Sequence, residues 1–312
     1  MNDRTKASPG AERAVADGDP GTERDVATRP NAASRPTPPP LDTATADALV
    51  EAVRRVAREE ILPRFRALDA DEVRAKTRRD DLVTVADERA EIALAAAARE
   101  IMPTAAIVGE EAVSTDASAL DPLEEAALCA VIDPIDGTWN YAHGLAVFGV
   151  ILAVLARGEP VFGLLYDPIG DDWIAARPGE GAWYHRPGGA PRRLAVADPL
   201  PLDEARGSVP LAIFPPERRA RVAAGTARVG GAAPLGCSCH EYRQIALGAL
   251  RFSVSPAPKP WDHAAGALVV REAGGVAVGP DGSDYRPVHR TTPLIVATDA
   301  DTARAVGELL GL

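Results

Sequence analysis

Residues 145–156 read LAVFGVILAVLA, an uncharged run bounded by Gly144 and Arg157. It is too short to cross a bilayer, which takes about 20 apolar residues, so it reads as a buried strand. A strand of this kind needs a large core around it. The chain has 312 residues, enough for two domains or one large α/β unit.

The remaining sequence supplies the layers. Residues 1–41 are rich in Pro, Ala, Asp and Arg, end in RPTPPPL, and lack apolar periodicity. They are expected to form a disordered arm. From residue 42 the pattern is helical, with Leu49, Val53, Val56, Ile61 and Leu62 near helical spacing and Thr45 or Asp47 as the cap. An Ala-rich helix is expected over 87–101. Strands are expected over 127–132, 147–155, 160–166 and 173–176, the later ones pairing as antiparallel hairpins through turns such as RGEP and DPIGDD. Residues 42–190 thus form a first α+β half. Residues 191–312 alternate strands (SVPLAI, FSVS, VAVG, PLIVAT) with helices near 216–225, 238–247, 261–272 and 301–310, which predicts a second layered half. No internal repeat is visible.

Charge narrows the partners. A formal net charge of −11, few aromatic residues and no basic run longer than pairs such as Arg54-Arg55 disfavour nucleic acid. No membrane partner is indicated. The N-terminus carries no apolar signal core, so the expected compartment is the cytoplasm. Cys129, Cys237 and Cys239 are too few for a disulfide framework. The CSCH run at 237–240 has no second Cys/His cluster to close a zinc site, so it is expected to hold small buried residues opening a helix.

The acids carry the chemistry. Asp87 stands at a helix start, Glu110-Glu111 follow VG, Asp133 and Asp136 follow an apolar run, and Asp262 opens WDHAAGALVVREAGG. Each alone has an ordinary reading: Asp87 and Asp262 as N-caps, the others as turn residues. Pro134 and Ile135 stiffen the backbone between Asp133 and Asp136, so that carboxylates and a carbonyl could face one cation. An oxygen-only set suits Mg²⁺ better than zinc. Gly137 and Thr138 come next, at an expected helix start whose N–H groups favour an anion. Metal on one side and amides on the other describe a phosphate seat.

Four blocks, DLVTVAD, IVGEEA, DPIDGTWNYAH and KPWDHAAGALVVREAGG, resemble in order those of the inositol monophosphatase family, one of the lithium-sensitive, Mg²⁺-dependent phosphatases, over roughly residues 45–310. The resemblance implies a layered α-β-α-β-α fold and two or three Mg²⁺ ions per site. Carried onto this chain, it assigns Glu110, Asp133 and the Ile135 carbonyl to one ion and Asp133, Asp136 and Asp262 to a second, with a weaker third near Glu110. It also implies that Thr138, hydrogen-bonded to Asp87, helps Glu110 orient a water. The Gly137 and Thr138 amides would hold phosphate oxygens, and Lys76 and Glu111 would stand just behind the ligands. The implied activity is a phosphomonoesterase for a small polyol or sugar phosphate. Related readings are a 3′(2′),5′-bisphosphate nucleotidase, a histidinol phosphatase or a fructose bisphosphatase; a scaffold protein and a homodimer also stay open.

The substrate-facing segments depart from the family. His143-Gly-Leu-Ala146 lacks the usual proline, and LGCSCHEYRQIALG replaces a GSAA-like segment. Where inositol-specific members carry an acid before PWD, this chain has Ser255, and no Asp or Glu lies between Glu241 and Asp262. Asp136, His240, Glu241 and Ser255 are therefore the candidate substrate contacts, with Tyr242 and Arg243 beside them; otherwise the 238–247 helix has one solvated face. Myo-inositol 1-phosphate is not expected to be the best substrate.

Overall fold

A computed structural model describes residues 38–312. Most of the expected N-terminal arm lies outside those residues. Leu41, assigned to that arm, is buried and donates its N–H to the Val161 carbonyl. The described chain opens with α1 (Thr43–Val56), the hairpin β1 (Val73–Ala75) and β2 (Leu82–Thr84), and α2 (Val85–Ile101). It continues with β3 (Ala106–Gly109), α3 (Glu110–Thr115), α4 (Pro122–Glu125), β4 (Cys129–Asp136) and α5 (Thr138–Ala142). The meander β5 (Gly149–Ala156), β6 (Glu159–Asp167), β7 (Asp172–Arg177), β8 (Gly181–His185) and β9 (Arg192–Arg193) follows. Next come β10 (Arg206–Ser208), α6 (Pro216–Thr226), β11 (Gly231–Ala232), α7 (Ser238–Ala246) and β12 (Phe252–Ser255). Last are α8 (Pro260–Glu272), β13 (Val276–Val278), β14 (Leu294–Ala297) and α9 (Ala300–Leu310).

Strands β3 to β9 form one sheet in chain order, parallel only at β3–β4. A second sheet runs β11-β10-β12-β14-β13. The apolar run without alternation is explained by its neighbours. Val150, Leu152 and Val154 of β5 pack with α1 and α2, while Ile151, Ala153 and Leu155 pack with α7 and α8. With both faces covered, every position favours an apolar side chain. The second sheet meets α8 through Val296 and meets α6 and α9 through Phe252, Val254 and Ile295. The result is the expected α-β-α-β-α stack. No helix among the described residues is long and apolar enough to cross a membrane.

Several local readings change. Asp42, not Thr45 or Asp47, caps α1 by accepting from Thr45. SVPLAI is not one strand: β10 stops at Ser208 and residues 211–213 make a 3₁₀ turn. Pro210 has no N–H for the ladder. The strand expected to end at Ile132 continues to Asp136 through an irregularity between Asp133 and Asp136. An extra residue in one strand re-aims the side chains beside it. Helix α7 has no fully solvated face, since Glu241, Tyr242 and Arg243 are all buried.

Candidate active site

Parallel pairing explains the first convergence. Gly109 is in register with Ile132, so the next residues, Glu110 at the start of α3 and Asp133 within β4, follow side by side. The first turn of α8 then brings Asp262, and carboxylate oxygens of Glu110, Asp133 and Asp262 lie within 4.8 Å of one another. Asp133 is 1% exposed, and its Oδ1 has no hydrogen-bond partner. Burial, then the charges of Glu110, Asp136 and Asp262, push its pKa well up. Burial and Asp262 push Asp136 up to about 7. Like charges this close call for a cation, and an orphaned buried carboxylate oxygen in an all-oxygen cluster fits Mg²⁺. Of the sequence-predicted ligands, Glu110, Asp133 and Asp262 are the ones the structure brings together.

Asp136 faces a different set of partners. Its Oδ2 accepts from the Cys239 N–H and from the Cys237 thiol, the latter at 3.1 Å. One carboxylate oxygen is thus held at the start of α7, and Asp136 is not among the three acids whose oxygens converge. Gly137 has φ +88°, and a Cβ there would stand 3.0 Å from the Val147 carbonyl and 3.1 Å from Cys237 Cβ. Only glycine makes this turn without strain. Asn140 clamps it by donating to the Val147 and Leu235 carbonyls, both at 2.8 Å.

Thr138 Oγ1 lies 3.1 Å from Asp87 Oδ1 and 3.0 Å from the Ile135 carbonyl. Its single proton goes to one of these acceptors, leaving its oxygen lone pairs for another donor. Asp87 is not an N-cap. Thr84 caps α2, and Asp87, at the third helical position, closes a reciprocal capping box by accepting from the Thr84 N–H at 2.8 Å. Burial pushes its carboxyl up to about 7, against the pull of Thr84. Asp262 is likewise third in its helix, behind Lys259 and Pro260.

Lys76 Nζ donates to Glu110 Oε1 at 3.1 Å and to Glu111 Oε1 at 2.6 Å. Burial pulls the amine down, but the two glutamates more than offset it and leave its pKa raised. The 240–243 group turns inward. Buried Glu241 accepts from the Leu235 N–H on Oε1 at 2.9 Å and from Ser253 on Oε2 at 3.0 Å, so each of its oxygens has a partner within the fold. Tyr242 bonds His263 Nδ1 at 2.8 Å, and Arg243 pairs with Asp172 and the Leu165 carbonyl. His240 Nε2 lies 3.1 Å from the Phe148 carbonyl. Ser255 sits half-buried at the end of β12. The sequence reading missed Glu91, whose carboxylate accepts from the Glu111 and Ala112 N–H groups. The available signal was its place one helical turn after Asp87 on the buried side of α2.

Comparison with known proteins identifies the family. The profile described as "Inositol monophosphatase family" matches residues 42–310. A Thermotoga maritima fructose-1,6-bisphosphatase/inositol-1-monophosphatase is 30% identical over 215 residues, 69% of this chain and 77% of the relative. A protein named Nus factor SuhB from Pasteurella multocida is 31% identical over 207 residues, 63% of this chain and 71% of its own. Among solved structures, a Thermotoga maritima IMPase superposes with a TM-score of 0.70 at 26% identity, covering 86% of this chain and 98% of that one. With the profile spanning nearly all of the described residues, the chain belongs to the inositol monophosphatase family.

Proposed function

We propose that this chain is a Mg²⁺-dependent phosphomonoesterase for a small phosphorylated polyol or sugar. The observation that carries the reading is the convergence of Glu110, Asp133 and Asp262 around an unpartnered Asp133 Oδ1. Glu110, Asp133, Asp262 and the free oxygen of Asp136 would hold the cation. Bound there, Mg²⁺ would supply charge neutralisation on the phosphoryl group and a lowered pKa for the attacking water. Thr138, with its proton given to Asp87 or to the Ile135 carbonyl, accepts one hydrogen of that water and aims its oxygen at phosphorus. Glu110 accepts the second hydrogen, while Lys76 keeps the Glu110 carboxylate turned toward the site. The leaving alkoxide takes its proton from solvent. The Gly137 and Thr138 amides are the proposed phosphate donors.

The substrate is narrowed by what is missing. Ser255 is a weaker acceptor for polyol hydroxyls than a carboxylate, and each oxygen of Glu241 already accepts a hydrogen bond within the fold. Inositol 1-phosphate is therefore expected to trail other esters. The test is phosphate release from inositol 1-phosphate, histidinol phosphate, fructose 1,6-bisphosphate and adenosine 3′,5′-bisphosphate with Mg²⁺. Asp133→Asn is expected to lower kcat/KM by about 100-fold or more on the best substrate, roughly 3 kcal/mol of lost transition-state stabilisation. Near-wild-type turnover with unchanged melting would sink the mechanism, and silence across the panel would favour a binding role.

A further inference from the structure

Helix α3 begins on a residue that cannot cap it. Gly109 holds the N-cap position and has no side chain to offer. An N-cap side chain ordinarily accepts from the second or third N–H of its helix. In α3 those groups belong to Glu111 and Ala112, and they lie 2.8 and 2.9 Å from the two oxygens of Glu91. The missing cap is thus delivered from another helix, α2, by a carboxylate only 8% exposed. A Cβ on residue 109 would overlap that carboxyl group, so Gly109 makes room for it.

Desolvating an acid to cap a six-residue helix is costly in isolation. Its effect falls on the first residue of that helix, Glu110. We propose that Glu91 is a positioning residue: by capping α3 across the helix boundary it fixes the Glu110 carboxylate against Asp133 and Asp262. The consequence for turnover rests on the phosphatase reading. Asp87 and Glu91 are one helical turn apart, so α2 presents both groups on one face. One holds Thr138 and the other holds the start of α3. The two water-orienting residues, Thr138 and Glu110, are thereby tied to a single helix.

The test is a double-mutant cycle in the full chain on Gly109→Ala and Glu91→Ala, with Glu91→Gln as the conservative variant. Mn²⁺ binding is followed by electron paramagnetic resonance without substrate, and kcat and KM are measured with Mg²⁺. Each alanine variant should weaken Mn²⁺ binding by about tenfold and lower kcat, with KM for the ester within about twofold. The double variant should be no worse than the single ones, because both remove the same contact. Glu91→Gln keeps one acceptor oxygen and should fall between wild type and Glu91→Ala. Additive losses, or unchanged Mn²⁺ binding in the folded Gly109→Ala and Glu91→Gln proteins, overturn the proposal. If Glu91→Ala does not fold, those two variants decide the matter. A wild-type chain that binds Mn²⁺ but hydrolyses no ester would refute the phosphatase reading, while the binding cycle would still judge Glu91.

Discussion

Asp136 commits one oxygen to the protein, and the donor that can be removed most cleanly is the Cys237 thiol. Thiols are weak donors, so Cys237→Ala should leave melting nearly unchanged and raise the Mg²⁺ needed for half-activity by about three- to tenfold. Cys237→Ser keeps a donor and should stay near wild type. Identical Mg²⁺ titrations for the two variants would show that the thiol does not hold Asp136. The acids of the cluster were legible because each is a charged residue ending or opening an apolar stretch. Cys237 and Glu91 were not, because a small residue before a helix and an acid within one look ordinary until their partners across space are known. Glu241 shows the other side: its chemistry suggested a substrate contact, and only the fold reveals that it already accepts from Leu235 and Ser253.

At the level of elements, the long apolar strands and Ala-rich helices were readable because burial on both faces erases alternation and leaves a run. Short pieces were harder. SVPLAI has strand composition, yet Pro210 breaks it, and the two-residue strands β9 and β11 have no periodicity to detect. Close helix approach was also invisible, although it places Asp262. Gly266 of α8 faces the ring of Tyr242 in α7, and a Cβ there would overlap the ring's Cγ and Cδ2. The ring is buried, with its hydroxyl tied to His263, so it has little room to yield. Alanine for glycine inside a helix normally stabilises by up to about 1 kcal/mol. Here the clash should win, and Gly266→Ala should destabilise by about 1–3 kcal/mol in denaturant unfolding. An increase in stability would mean that α7 and α8 can separate without loss.

For the whole molecule, the acid cluster would couple binding of the proposed cation to folding. Unfolded carboxylates titrate near pH 4, whereas burial and mutual repulsion raise Asp133 well above that and Asp136 to about 7. Burial raises Asp262 as well, against the pull of Lys259. Between about pH 4 and 7 the cation-free native state therefore holds more protons than the unfolded chain. The slope of unfolding free energy with pH follows protons bound in the unfolded state minus those bound in the native state. That difference is negative here, so the chelated protein should lose stability as pH rises through this window. A bound Mg²⁺ takes over the role of those protons and removes most of that loss. Asp87, also raised to about 7, stays buried with or without the cation and largely cancels from the comparison. Calorimetric melting with Mg²⁺ and with chelator should thus show a small gap at about pH 5 that widens by a few kcal/mol near pH 8. In Asp133→Asn one of the repelling charges is gone, so the chelated variant should lose less stability than wild type over the same range. An equal gap at both pH values would mean that the cluster is relieved by something other than a divalent cation.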